Sequence, residues 1–460
     1  MEVQDLRSRI EGIVTTSTDP GYEYLRCGMV WNQLTPARYP RLIVQAATEY
    51  DVVEAVQFAG VHRMKVAVRG GGHSWVGFSL RDESLLLDLG GLRQLAIDPA
   101  ARLATVQPAV ASREFNDLLH RNGLAFPVGH CPSVPLGGFL LNGGLGWNSS
   151  RWGPACFSIE AAKVVLADGG LIDVTPEQHA ELLWAIRGAG PGFFAVVTQY
   201  RLKLYPAPRA ITTSTYSYRL HDIEEISSWA ADIACQLPHD VELTLFIAPA
   251  PPDLAEPCRL SNGFVCILNA TAFVNTEREA TAALSLLERC PVAHRCLKKE
   301  VNRTDSFDSL LNLGATLWPE RHRYLADTLW SNSPPSQPLA VAQDFFLRAP
   351  SPKSLAVCQF STGENPAVLP DAVFSMTAGT LLLCYAIWER PGDDAANAAW
   401  HREMIAALDP FAVGHYVGES DIVTQPARAE WSFGRANWQR LQALRRTYDP
   451  DDRFHGHFSA

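Results

Sequence analysis

No apolar run among the 460 residues approaches the roughly 20 that span a bilayer, so a membrane-spanning chain is not expected. Lysine and arginine are nowhere concentrated. Their 39 positive charges against 49 acidic residues leave a formal charge of −10, which removes the electropositive face that nucleic acid requires. The ten cysteines form no Cys-x-x-Cys pair and follow no regular spacing, so most read as buried free thiols and not as a disulfide framework. The opening Met1-Glu2-Val3-Gln4-Asp5 carries neither a basic n-region nor an apolar h-region, and the expected compartment is the cytoplasm. Glycine is plentiful, yet G-x-G-x-x-G after a strand, G-x-x-x-x-G-K, H-E-x-x-H and G-x-S-x-G are all missing. That weighs against a Rossmann dehydrogenase, a P-loop enzyme, a zinc protease and a serine hydrolase. With 47% hydrophobic and 19% charged residues, the composition is that of a compact protein of two or three domains and not of a disordered chain.

What is present falls into three regions. From about Arg41 to Pro206, short apolar runs alternate with helical patterns and glycine-rich loops. Leu42-Ile43-Val44 reads as a strand, after which Thr48-x-x-Asp51 caps a helix. Val66-Ala67-Val68, Leu85 to Leu89, Leu103 to Val110 and Phe193 to Leu204 read as strands. Ser112 is expected to cap a helix that Gly123 ends, and Asp168-Gly169 joins a hairpin. From about Pro208 to Gly414 the glycine loops disappear and alternation predicts strands over Ile211 to Arg219, Glu242 to Ile247, Phe264 to Phe273 and Thr380 to Trp388. A helix over Glu277 to Leu287 suggests a sheet covered by helices. The last region, from Trp431, ends in a helix over Asn437 to Thr447 closed by Tyr448-Asp449-Pro450.

Three glycine-rich segments carry the chemistry. Gly70-Gly71-Gly72 directly follows a strand, Gly137-Gly138 and Gly143-Gly144 sit in one short segment after His130-Cys131-Pro132, and Gly188-Ala189-Gly190-Pro191-Gly192 links a helix to a strand. Backbone without Cβ atoms can turn its N–H groups toward an anion and approach it closely. Any one of these is an ordinary tight turn; three in one region imply a large, extended anionic ligand, and a dinucleotide fits better than a single phosphate. His73, His130 and Cys131 could together hold zinc, but no pair among them has structural-zinc spacing.

The segments Arg69-Gly70-Gly71-Gly72-His73-Ser74, Gly129-His130-Cys131-Pro132-x-Val134, Gly190 to Thr198 and Tyr448-Asp449-Pro450-Asp451-Asp452-Arg453-Phe454 occur in an order that resembles the berberine bridge enzyme-like family of FAD-linked oxidases. That family belongs to the vanillyl-alcohol-oxidase, or p-cresol methylhydroxylase (PCMH)-type, FAD superfamily. The resemblance implies an α+β fold. A two-part PCMH-type FAD-binding domain, residues 1–206 with a returning C-terminal segment 415–460, would enclose an inserted substrate domain, residues 207–414, with an antiparallel sheet covered by helices.

It also implies roles. His73 matches the histidine bonded to the flavin 8α-methyl carbon and Cys131 the cysteine bonded to flavin C6, giving bicovalent FAD of raised redox potential. Arg69, Gly70, Gly71, Gly72, His73 and Ser74 would lie along the pyrophosphate. Gly137, Gly138, Gly143 and Gly144 would touch the cofactor through their backbone, and Val197 would lie near the adenine. Val134 matches the position that gates oxygen, and its small size resembles the oxidases, which favours dioxygen as acceptor and hydrogen peroxide as product.

The departures bear on the substrate. The family's Y-x-N-x-x-D segment is Tyr416-Val417-Gly418-Glu419-Ser420-Asp421 here, so Gly418 replaces the Asn and Glu419 stands where a catalytic Tyr is frequent. Trp75 and Leu145 replace two further tyrosines that support alkoxide formation in carbohydrate and alcohol oxidases. A small apolar or aromatic alcohol or amine is therefore expected, with Glu419, Tyr416 and Tyr385 as candidate catalytic groups. The competing readings are a flavin dehydrogenase, an oxidative cyclase of secondary metabolism, and a flavin-binding protein whose catalytic site has decayed.

Overall fold

The computed structural model describes residues 3–363 and 370–457. The extreme ends of the expected first and last segments, residues 1–2 and 458–460, lie outside the described residues.

The strand Leu42–Gln45 leads through the helix Glu49–Val61 to Val66–Arg69, and both strands flank Leu85–Asp88 in parallel, with Ile13–Thr16 antiparallel at the edge. The helix starts where the sequence predicts: Thr48 accepts the Asp51 N–H at 3.2 Å, and Asp51 returns the bond to the Thr48 backbone. A second, antiparallel sheet runs in the order Leu95–Asp98, Leu103–Val106, Val196–Lys203, Ile159–Val165, Leu171–Val174. The hairpin joined through Asp168-Gly169 is its last pair, Val164 opposite Ile172.

The C-terminus returns to the first sheet. Phe454 bridges Val66 in parallel, the Val66 N–H donates to the Arg453 carbonyl at 2.7 Å, and the Arg453 guanidinium reaches the carbonyls of Ala59 and Met64 at 2.9 Å. Asp449 shapes that turn by accepting the backbone N–H groups of Arg453 and Phe454. These bonds account for Asp449 and Arg453 in the closing motif.

Between these parts sits a seven-stranded antiparallel sheet in the order Lys298–Asp305, Ala210–Arg219, Phe264–Val274, Val241–Pro249, Leu355–Phe360, Thr380–Trp388, Arg323–Ser331. One face buries Leu243, Leu245, Leu268 and Ala270 against helices Ile223–Ala234, Ser336–Phe346 and Asp394–Leu408, forming a separate core. The other face turns toward the glycine-rich part of the chain.

Three expectations need correction. The strand from Leu103 ends at Val106, because Gln107 to Val110 bend away to bond Gln94, Leu92 and the turn itself. Ser112 is the first residue of its helix and not the cap, since its hydroxyl donates to the Val134 carbonyl at 2.9 Å. The strand expected from Phe193 begins only at Val196, after the glycine turn.

Candidate active site

A single cavity of about 550 Å³ lies between the glycine-rich segments and the open face of the seven-stranded sheet. Arg69 to Ser74, Cys131, Val134, Gly137, Gly138 and Val197 line it from one side, and Tyr385, Tyr416 and Glu419 also reach it. Residues spread across more than 300 positions therefore meet at one site.

His73 and Cys131 both line this cavity. The His73 ring hydrogen-bonds the carbonyl of Ser133, two residues after Cys131, and stacks on Trp31 with ring centroids 5.2 Å apart. Burial holds His73 down to about 4, so its imidazole is neutral, and burial pushes the Cys131 thiol up to about 12.

The glycines sort by what surrounds them. A Cβ on Gly71 would strike the Pro135 ring, and one on Gly72, at φ +75°, would strike the Met29 carbonyl, so this turn exists only as glycine. Gly138 has nothing within 4 Å of its Cβ direction and presents bare backbone to the cavity. Gly143 and Gly144 do not line the cavity, contrary to expectation. Their positive φ values and contacts with Phe374, Ala155 and Phe139 make them packing glycines.

Arg69 also differs. Its guanidinium pairs with Asp88 at 2.6 Å and donates to the carbonyls of Met29 and Gly71, so it braces the glycine turn and has little left for a phosphate. The Ser74 hydroxyl accepts the Phe78 N–H at 3.3 Å.

At the other wall stands Glu419. The Tyr385 hydroxyl and the Trp75 indole N–H, the latter at 3.2 Å, both donate to its Oε2. Burial raises the Glu419 carboxyl above the ordinary carboxylate range, while the two donors partly offset that rise. Trp75 and Trp318 hold the Tyr385 ring from two sides by edge contacts at 5.7 and 5.6 Å. Tyr416 is turned elsewhere, its hydroxyl accepting the Gly144 N–H at 3.3 Å under the second glycine cluster.

The loop carrying these residues is pinned by Thr328. Its hydroxyl meets Ser420 Oγ at 2.6 Å and accepts the Tyr416 N–H at 2.9 Å, while the Thr328 carbonyl contacts His415 Nδ1 at 2.6 Å. Asp421 then accepts the N–H groups of Val423 and Thr424, which fixes the exit of the loop.

Sequence reasoning missed Asn142, Trp318 and Thr328. Asn142 is the instructive case. Its Nδ2 donates to the Gly138 carbonyl at 2.6 Å, its Oδ1 is buried without a partner, and its Cβ lies 3.0 Å from where a Gly418 Cβ would project. Asn142 thus packs directly against Gly418, with its Oδ1 left free to accept. Its place at the head of a glycine cluster was the available signal.

These features fit FAD: bare backbone at Gly138, an unsatisfied buried acceptor at Asn142 Oδ1, and a long cavity reaching from Val197 to Glu419. The FAD binding domain family matches residues 40–175. The chain is 28% identical to the FAD-linked oxidoreductase nodO of Hypoxylon pulicicidum, covering 96% of each chain. It is 26% identical to the (R)-6-hydroxynicotine oxidase of Paenarthrobacter nicotinovorans, covering 98% of this chain and 96% of that one. The solved structure of BBE-like 1 from Physcomitrella patens superposes with a TM-score of 0.84 at 18% identity, covering 100% of this chain and 99% of that one. No helix among the described residues is long and apolar enough to cross a membrane. The glycine cradle, the returning C-terminus and the sheet above them, taken with these likenesses, mark the chain as an FAD-linked oxidoreductase whose fold is that of BBE-like 1.

Proposed function

We propose that the protein is an oxidase that holds FAD through His73 and Cys131, removes hydride from the carbon bearing a substrate hydroxyl or amine, and uses dioxygen as acceptor with hydrogen peroxide as product. The observation that carries this reading is the Glu419–Tyr385–Trp75 cluster facing the same cavity as His73 and Cys131. Bound FAD supplies the hydride acceptor and the route of the electron pair to dioxygen.

The chain's own residues do the rest. Both donors bond Oε2 of Glu419, which leaves Oε1 to take the proton of the substrate hydroxyl or amine. Trp75 and Tyr385 stabilise the carboxylate while it waits in a poorly solvated site. Trp318 and Trp75 present apolar edges to an aromatic or aliphatic substrate body. The neutral His73 imidazole, with one nitrogen committed to Ser133, keeps its other nitrogen for the flavin. Val134, on the cavity wall with its carbonyl accepting the hydroxyl of Ser112 at a helix start, leaves room for oxygen. Against the decayed-protein reading stands the intact Glu419 cluster.

The test is the oxidative half-reaction. Holoenzyme reduced by light under argon and mixed with air-saturated buffer should regain its visible flavin absorbance rapidly and release peroxide, and Val134→Ile should slow that step by at least about tenfold, about 1.4 kcal/mol of barrier. Slow reoxidation of the wild type, with fast reoxidation by an artificial dye, would make the protein a dehydrogenase.

A further inference from the structure

The cavity-facing side of the seven-stranded sheet changes character from one rung to the next. Positions 215, 244, 246, 267, 269 and 359 are partly open, whereas their sequence neighbours are fully buried, so the alternation marks one face bordering the cavity. Register aligns them. Thr215 lies opposite Asn269, Asn269 opposite Thr244, and Thr244 opposite Gln359, which makes one rung polar across four strands. Two residues along, Ile267, Phe246, Val357 and Leu383 form an apolar rung. Two residues further, Tyr385 meets Glu419.

A polar rung inside a protein costs stability unless its groups find partners. Thr215 and Asn269 bond each other at 2.8 Å. Thr244 and Gln359 make no side-chain hydrogen bond to any described residue, although an apolar pair would extend the neighbouring rung at no such cost. Glu242, on the rung beyond, is already engaged with the Ser149 N–H at 3.0 Å, so the unspent hydrogen-bonding capacity lies at Thr244 and Gln359. Four residues separate Leu381, opposite Gln359, from Tyr385, which is about 14 Å along the strand. The cavity also continues past Thr215 to Glu300 on the edge strand.

We propose that the site takes an elongated amphipathic substrate and not a small one. Its reacting end lies against Glu419 and Tyr385, its apolar body lies on the rung of Ile267, Phe246 and Val357, and hydroxyl or amide groups at its far end bond Thr244 and Gln359. This rests on Glu419 marking the oxidised end, and it adds where the opposite end is held.

Binding of molecules that the enzyme cannot oxidise tests the anchor separately from the chemistry. Biphenyl-4,4′-diol and 4-phenylphenol share a rigid apolar body and one hydroxyl, differ only in the far hydroxyl, and have no C–H bond next to a heteroatom to lose as hydride. Their affinities for the holoenzyme can be read from the perturbed flavin spectrum and from thermal shift, with phenol as a short control. The diol should bind about tenfold more tightly than 4-phenylphenol, the worth of one or two buried hydrogen bonds. In Thr244→Val with Gln359→Leu the preference should fall below about twofold while phenol binding holds. Each single variant should lose part of it, which keeps the test available if the double variant does not fold. Equal affinities in the wild type, a preference that survives the substitutions, or no binding of either biphenyl would overturn the proposal. Absence of peroxide with every alcohol and amine would refute the oxidase reading while leaving these affinities as they are.

Discussion

At the scale of single residues, the account turns on how one carboxylate is kept both buried and useful. Glu419 is raised by burial and lowered by its two donors, so it loses its proton above the pH at which an exposed glutamate would. The substrate step should therefore show an acid limb: activity falls as pH drops through this raised value, because the protonated acid cannot accept the substrate's proton. Glu419→Gln should lower kcat by about 10²- to 10⁴-fold and remove the limb while the flavin stays bound, measured as the rate of anaerobic flavin bleaching against pH. Tyr385→Phe removes a donor that favours the charged form. Its limb should move to higher pH with a smaller loss of rate, as read from the pH profile of kcat/KM. The sequence made Glu419 and Tyr385 legible as candidates because each stands in a recognisable place: one in the degenerate Y-x-N-x-x-D segment, one on an alternating strand. It could not show that their side chains meet, since 34 positions separate them and the contact crosses from a loop to a sheet.

At the scale of elements, the loop His415 to Asp421 is held in place by a neighbouring strand more than by its own bonds. Thr328 supplies a hydroxyl that serves both Ser420 and the Tyr416 N–H. Thr328→Val keeps the shape and removes both bonds, so unfolding free energy from chemical denaturation should fall by about 1–3 kcal/mol. If the hydroxyl also positions Glu419, the acid limb should broaden or shift as well, an effect absent if Thr328 contributes stability alone. Long alternating strands such as Thr380–Trp388 were legible because their period is plain. Lys298–Asp305, an edge strand made mostly of charged and polar residues, and Leu355–Phe360, short and nearly all buried, carry no such period and went unread. Alternation tells that a strand has two faces. It does not tell which face the helices cover, and so the cavity face could not be assigned before the fold was known.

At the scale of the whole molecule, the site exists because distant segments converge: glycine turns from the first part, a sheet inserted after them, and a C-terminal segment that comes back to Val66. The order of motifs made that architecture legible, since four glycine- or aspartate-rich segments in one sequence constrain the chain more than any one does. Gly143 and Gly144 show the limit of that reasoning. A glycine demanded by Phe374 or Ala155 looks the same in sequence as one demanded by a ligand.

The convergence places His73 and Cys131 on the wall of one cavity, and both are predicted to be bonded to the cofactor. Acid precipitation of the purified holoenzyme tests this directly. The pellet should stay yellow, its intact mass should exceed that of the chain by one FAD, and peptides containing His73 and Cys131 should carry the flavin together. A white pellet with free FAD in the supernatant would contradict it.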